Sequence, residues 1–372
     1  MPVLLTQQGK SNRSLAKKSN RLFKPLDPLS AYKELQGSIK ETTIIQSKRL
    51  DDFLLDLIPE RFDRAKTTIF KSALIAYEGF QHTASFKYRA AYNAARKSQA
   101  DHLIAASSGN FGQALAYAAK IRGKKCTIVM PETSAQVKIQ AVRNHGAQVV
   151  LIDTDRVSRA DALASLCQKI STDHDNKPAV FSPYDHADII EGNSTLGIEI
   201  ASLVPTPDLV IAPVGGGGLL SGICLGLESA IKQAMSNNLN LAIRVIGAEP
   251  QLANDAARSL AAGHLFANEK EPRTIADGAR TISLGKLNFE ILQSRSIEIL
   301  EITEEQIAEA TFLLFDLCNL KCEPTGALSL AALIQMLRNG KDLYTRPCLV
   351  VSGANVDSNV YARLINQPIV SE

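Results

Sequence analysis

Gln81-His-Thr-Ala-Ser-Phe-Lys87-Tyr-Arg89 is the stretch on which the reading of this chain turns. It sets Lys87 at the mouth of a helix, with Thr83 and Ser85 just before it. A hydroxyl in that place satisfies free N–H groups of the first helical turn, and a helix start favours bound anions. Lys87 is therefore a candidate Schiff-base residue, its amine able to condense with a carbonyl. Taken alone, the segment also reads as an ordinary capped helix carrying one exposed lysine.

Three later segments bear on that choice: Ser107-Ser108-Gly109-Asn110, Gly215-Gly216-Gly217-Gly218-Leu-Leu-Ser-Gly222 and Ser352-Gly353-Ala-Asn355. Each follows an apolar, strand-like run. From residue 67 onward such runs alternate with amphipathic helices, the pattern of a parallel sheet covered on both faces. Strands are expected at residues 101–106, 126–130 and 148–152, and helices at 110–121, 136–144 and 158–170. After a polar loop at 172–177, strands are expected at 209–214, 244–248, 296–302 and 348–352. The glycine run lies where the strand at 209–214 gives way to a helix at 219–230. The fold class is α/β, and ligands of such sheets bind at the carboxyl ends of the strands.

Four consecutive glycines ahead of a helix let backbone N–H groups approach a phosphate with no Cβ in the way, and the helix dipole adds favourable charge. A flexible turn is the alternative. Ser221 stands where G-x-G-x-x-G, counted from Gly216, requires its third glycine, and no lysine follows as in a Walker loop. Dinucleotide-binding and ATP-hydrolysing readings drop accordingly. Glu249-Pro-Gln-Leu-Ala253-Asn-Asp255 ends a strand with two carboxylates and a backbone carbonyl between them. Hard oxygen ligands of this kind suit Mg²⁺, Ca²⁺ or Mn²⁺. A strand-end turn followed by an N-capping acid fits the same residues.

The chain has 372 residues, enough for two domains, and a hydrophobic fraction of 45%, ordinary for a packed core. A net charge of +3 is too small to imply nucleic-acid binding, and no apolar run is long enough for a membrane span. The six cysteines are dispersed and read as reduced core residues; Cys318 and Cys322 have helical spacing but no second Cys/His pair to complete a zinc site. Residues 1–27 form a basic extension, expected to be disordered, with Lys10, Arg13, Lys17, Lys18, Arg21 and Lys24 before the first acid, Asp27. It lacks the apolar h-region of a secretory signal and shows no clear amphipathic face, so a cytoplasmic location is expected, with organelle targeting left open.

In their order and spacing the Lys87, Ser107, Gly215 and Ser352 segments resemble the serine/threonine dehydratase and serine racemase family of pyridoxal-phosphate enzymes, from about residue 41 to the C-terminus. The resemblance implies a fold-type II enzyme, related to the tryptophan synthase β chain, with two αβα domains around twisted, parallel-rich sheets. Residues 28–100 and 178–372 would form the large domain, and 101–177 a small mobile one. It further implies that Lys87 forms the Schiff base with pyridoxal phosphate, that Gly215, Gly216, Gly217 and Gly218 cup its phosphate, and that Asn110 bonds its phenolic oxygen. Phe86 would pack on one face of the ring and Gly278 on the other, with Glu323 nearby. Ser352 would meet the pyridine nitrogen; a neutral hydroxyl there leaves the ring a weaker electron sink, which suits β-elimination of a hydroxyl. Ser107 and Arg159 would hold the substrate carboxylate, and Ser108 would face the substrate opposite Lys87. Glu249, Ala253 and Asp255 would be ligands of a divalent cation.

Taken without the family, Phe86 reads as a core aromatic, Ser352 as a turn serine, Arg159 as a surface cation, Glu323 as a helix-start carboxylate and Ser107 or Asn110 as an N-cap. The expected reaction is dehydration of L-serine or L-threonine to a 2-oxo acid and ammonia, by a homodimer. An amino-acid racemase or 3-hydroxyaspartate dehydratase is the alternative, and a noncatalytic cofactor-binding protein a third. No effector-binding domain is expected beyond the Ser352 strand. The chain departs from the family at Phe111, where His is usual, at Ala90, Ser194 and Ala354, where Gly is usual. The Phe111 departure bears on which amino acid is taken.

Overall fold

The structure, a computed structural model, describes residues 26–58, 70–134, 136–171, 177–236, 242–340 and 344–366. The basic extension, up to residue 25, and residues 172–176 of the expected loop lie outside these. Among the described residues the strands are β1 (Thr43–Ile45), β2 (Leu74–Tyr77), β3 (His102–Ala106), β4 (Lys125–Pro131), β5 (Gln148–Ile152), β6 (Ala179–Val180), β7 (Leu209–Pro213), β8 (Arg244–Pro250), β9 (Glu298–Ile302) and β10 (Pro347–Val351). They build a six-stranded sheet, in the order β1-β2-β10-β7-β8-β9, and a four-stranded sheet, β5-β4-β3-β6. All pairings are parallel except that of β1 with β2.

Parallel strands need covered faces, and the sequence supplies them: β7 and β10 are buried at every residue. Helix Pro324–Arg338 packs one face of the large sheet, with Leu328, Ala331 and Leu333 among the buried residues it shares with Ile211 and Leu349. On the other face Leu220, Ile223 and Leu227 of helix Gly218–Ser236 meet Val210, Ala212 and Val350. That helix lies against helix Ala187–Ala201 at a close crossing, where a Cβ on Gly226 would stand 2.0 Å from the Ser194 carbonyl. The small sheet has its own core, around Leu103, Leu115, Ile128 and Met130.

Most expected elements appear near their expected bounds. Helices Asn110–Ile121 and Gln136–Asn144 and strand Gln148–Ile152 coincide with them, while the helix after the glycine run continues to Ser236. The small sheet extends to Val180 through β6, which pairs with β3.

The strand order places the chemistry. β10 lies between β2 and β7, with all three parallel, so the segments leaving their carboxyl ends emerge side by side. Those segments are residues 78–87 after β2, the Ser352 turn after β10 and the glycine run after β7.

Candidate active site

Lys87 begins helix Lys87–Lys97, but no hydroxyl caps that helix. The expected Ser85 and Thr83 caps are not made: both hydroxyls are buried without a partner, and the first turn closes on the Ser85 and Phe86 carbonyls. Thr83 and Ala84 both adopt left-handed backbone, at φ 59° and 53°, which strains non-glycine residues by about 1–3 kcal/mol each. The turn is held from the C-terminal side. Phe86 N–H donates to the Ser352 carbonyl, Ala354 N–H to that of Ala84, and Asn355 Nδ2 to that of Thr83.

The Lys87 amine donates to the Pro183 carbonyl at 2.8 Å and lies 5.0 Å from the centre of the Phe86 ring and 6.0 Å from that of Phe111. Burial lowers its pKa to about 8, against the opposing pull of Glu323. Two residues on, Arg89 is fully buried and bonds both carboxylates of Glu78 and Glu199, at 2.7–2.9 Å. This triad anchors the helix that carries Lys87.

The glycine run has two sides. On the side-chain side, Cβ atoms on Gly216 and Gly218 would fall 2.2 Å from the Tyr184 ring and 2.9 Å from its carbonyl, and one on Gly217 2.8 Å from Leu284. Gly217, at φ +87°, also needs glycine for its backbone. A Cβ on Gly215 would meet Ala279 and the Gly278 carbonyl at 3.1 Å, so the Gly278 turn stacks on the glycine run. On the amide side, none of the N–H groups of residues 215–220 has an acceptor among the described residues; Ser221 N–H is the first to bond back, to Gly217. Six clustered N–H groups spanning the approach and first turn of helix Gly218–Ser236 form a strong anion site.

Ser352 is 1% exposed, and its hydroxyl has no partner among the described residues. Asn110 opens its helix but does not cap it; Ser107 Oγ accepts from Gly112 N–H at 3.1 Å instead. Asn110 Nδ2 donates to both oxygens of Glu323, at 2.9 and 3.0 Å. Glu323 makes no helix-capping bond, despite standing at the start of helix Pro324–Arg338. Burial, helped by Asp277, raises its pKa to about 7. The Ser108 hydroxyl bonds no group among the described residues. Gly278 N–H donates to Thr325 Oγ1 at 3.0 Å.

Two ion pairs join helices beside the small sheet to the segment at residues 271–277. Lys138 binds Asp277, and Arg159 binds Glu271 at 3.0 Å with its side chain 41% exposed. Arg159 is thus engaged at the rim in this structure. Glu249 and Asp255 lie at the end of β8. Glu249 accepts from Ala256 and Ala257 N–H at 3.1 and 2.7 Å, and so caps helix Asp255–Ala262. Asp255 Oδ1 accepts from Asn268, while its buried Oδ2 has no hydrogen-bond partner among the described residues. Burial raises both acids, Asp255 to about 6 and Glu249 well above the usual range. Among the described residues no three His, Cys, Asp or Glu side chains gather as a metal cluster.

Sequence reasoning passed over Ser182-Pro183-Tyr184-Asp185, which ties the site together. Its Pro183 carbonyl holds Lys87, its Tyr184 ring lies against the glycine run, and its Asp185 caps helix Lys286–Gln293 through Lys286 and Leu287 N–H at 3.0 Å. The available signal was a Ser-Pro-Tyr-Asp turn directly after a strand.

Comparison with known proteins identifies the family. The chain is 32% identical over 346 residues to the serine racemase of Dictyostelium discoideum, covering 91% of this chain and 97% of that one. It is 30% identical over 344 residues to the L-threo-3-hydroxyaspartate ammonia-lyase of Saccharomyces cerevisiae, covering 91% and 95%. Among solved structures, the threonine deaminase of T.th. superposes with a TM-score of 0.75 at 35% identity, covering 89% of this chain and 97% of that one. Residues 64–353 match the family described as "Pyridoxal-phosphate dependent enzyme". A lysine at a strand-to-helix turn, an amide cup without acceptors among the described residues and the buried Ser352 hydroxyl in the turn after the strand between them are therefore features of a chain that belongs to the pyridoxal-phosphate dependent enzymes, of fold type II.

Proposed function

We propose that this protein is an ammonia-lyase that dehydrates a small β-hydroxy amino acid, L-serine or L-threonine, to a 2-oxo acid and ammonia. The observation that carries the reading is the row of N–H groups at 215–220, which follows β7 and has no acceptor among the described residues, together with the Ser352 hydroxyl that follows the neighbouring β10 and has no partner among them. An anionic phosphate and a ring nitrogen fit those two unsatisfied features. Gly215, Gly216, Gly217 and Gly218 would hold the phosphate, Ser352 the pyridine nitrogen and Asn110 the phenolic oxygen, with Phe86 and Gly278 about the ring. Bound pyridoxal phosphate supplies an electron sink that loosens the bonds at the α-carbon of an amino acid.

The side chains do the rest. Lys87 Nζ takes the α-proton, and its lowered pKa of about 8 leaves part of the amine neutral near pH 7. The β-hydroxyl leaves as water, taking up the proton that Lys87 Nζ removed from the α-carbon. The released enamine hydrolyses to the 2-oxo acid and ammonia. Ser107 and Arg159 hold the substrate carboxylate, Arg159 exchanging Glu271 for it. Glu249, Asp255 and the Ala253 carbonyl bind a divalent cation, a reading supported by the two raised pKa values and the unpartnered Asp255 oxygen. A homodimer in the cytoplasm belongs to the same proposal and is supported by the resemblance alone.

Racemisation of the same amino acid is the second reading, favoured by the unengaged Ser108 hydroxyl. A racemase needs a proton-transfer group on each face of the planar carbanion, whereas elimination from one enantiomer needs Lys87 only. One experiment addresses both readings: L- and D-serine, L- and D-threonine and 3-hydroxyaspartate given to wild type and Ser108→Ala in deuterated water. The proposal expects 2-oxo acid from an L-substrate with both proteins, and loss in Ser108→Ala of any L/D interconversion. No 2-oxo acid from any substrate contradicts the lyase reading, and D-serine that survives the substitution assigns the second face to another group.

A further inference from the structure

Asn355 ends the Ser352-Gly353-Ala-Asn355 segment, and both of its carboxamide donors are spent on the site. Its Nδ2 lies 2.8 Å from the Thr83 carbonyl and 2.8 Å from Asn110 Oδ1. A carbonyl can only accept, so the Thr83 contact fixes the nitrogen end of Asn355 toward that turn. Asn110 must then present its oxygen to Asn355, which turns its own Nδ2 toward the Glu323 carboxylate. One chain of donors thus runs from Asn355 through Asn110 to Glu323 and sets the orientation of every amide in it. Asn355 also sits where three segments meet: the strained turn before Lys87, the turn after β3 and the turn after β10.

We infer that Asn355 is a positioning residue: it holds the strained Lys87 turn in place and sets the direction in which the Asn110 amide donates into the cleft. The inference rests on the reading of Lys87 and Asn110 given above. Glu323 lends it support. That carboxylate is 2% exposed and approaches so closely that a Cβ on Gly353 would lie 2.8 Å from Oε1. An acceptor so placed, facing Lys87, Lys138 and Asp277 as its charged neighbours, needs an oriented donor, and Asn110 supplies one only while Asn355 holds its other end.

Without Asn355 the Thr83 carbonyl loses its side-chain donor and the Asn110 amide is free to turn over. The effect passes through Asn110, which separates this role from general support of the fold. The test titrates the full-length chain with pyridoxal phosphate and follows the dissociation constant and the pH midpoint of the visible absorption band, for wild type, Asn355→Ala, Asn110→Ala and the double variant. The expected result is binding about tenfold weaker in Asn355→Ala, the loss of roughly one hydrogen bond. Its pH midpoint moves in the same direction as that of Asn110→Ala, and the double variant is no weaker than Asn110→Ala alone. Asn355→Asp keeps the shape but replaces both donors with acceptors, and carries the test if the alanine variant does not fold; it binds at least as weakly. Thermal unfolding reports that each variant is folded. Wild-type affinity and midpoint in a folded Asn355 variant, or effects at 355 and 110 that add, overturn the inference. A wild type that takes up no pyridoxal phosphate overturns the functional reading and the inference together, whereas a binding wild type matched by its Asn355 variants overturns the inference alone.

Discussion

Glu78 and Glu199 are buried on either side of Arg89, whose guanidinium bonds all four of their carboxylate oxygens. Glu249 and Asp255 are buried as deeply, yet their partners are two helix N–H groups and the Asn268 amide. Burial disfavours charge at both places. At the first, burial raises Glu199 as well, but Arg89 pulls against it and is itself held charged by Glu78 and Glu199, so the three groups make a structural anchor. At the second, burial prevails and the acids titrate high, a state that an added cation could reverse. Buried acids with a built-in cation therefore read as architecture, and buried acids that lack one read as a candidate site.

The largest effect is expected at the anchor. Arg89→Met leaves two buried carboxylates without their cation, and the loss should be about 3–5 kcal/mol, measured by urea unfolding. A loss below about 1 kcal/mol would remove the contrast between the two regions.

At the acid pair the expected effect is smaller and depends on pH. Asp255 has a folded pKa of about 6, above its ordinary value of 3.8, so the folded protein binds the proton more tightly than the unfolded chain. Stability contributed by this group is therefore present at low pH and is lost as pH rises from about 4 through about 6. On the proposed reading, a divalent cation would bind the deprotonated acids and oppose that loss. Added Mg²⁺ or Mn²⁺ should raise the melting temperature of chelator-treated protein more at pH 7.5 than at pH 5; a hundredfold excess over the dissociation constant corresponds to a stabilisation of about 2.7 kcal/mol. Glu249→Gln should abolish the cation response and cost about 1–3 kcal/mol of cation-free stability, because its Nε2 cannot accept from one of the two helix N–H groups that the carboxylate oxygens hold. Equal melting curves with and without cation, on protein shown by elemental analysis to be metal-free, would leave Glu249 as a helix cap only.

How legible each part was follows from the range of the interaction involved. The parallel strands and their helices were readable because their signal is periodic and local, as in helix Asn110–Ile121. β1 and β6, of three and two residues, are too short to carry a period and exist through pairing with β2 and β3. The glycine run and Lys87 stood out by residue type. The reason for the glycines was only half visible, since their missing side chains make room for Tyr184, Leu284 and Asn288, remote in sequence. The Ser85 cap failed because the Lys87 turn takes a left-handed path, closed by residues 352–355 rather than by its own hydroxyls. The Arg89 triad could not be read at all, as Glu199 lies 110 positions away.

The central claim is that the Lys87 amine is the group that engages pyridoxal phosphate and moves the α-proton. Its most direct test is to load the purified protein with pyridoxal phosphate, reduce with borohydride and locate the pyridoxyl mass by peptide mapping, beside Lys87→Ala treated alike. The account predicts the label on Lys87, and a variant that has lost the label, the visible absorption band and the turnover of β-hydroxy amino acid. A label on another lysine, or full dehydratase activity in Lys87→Ala, would contradict it.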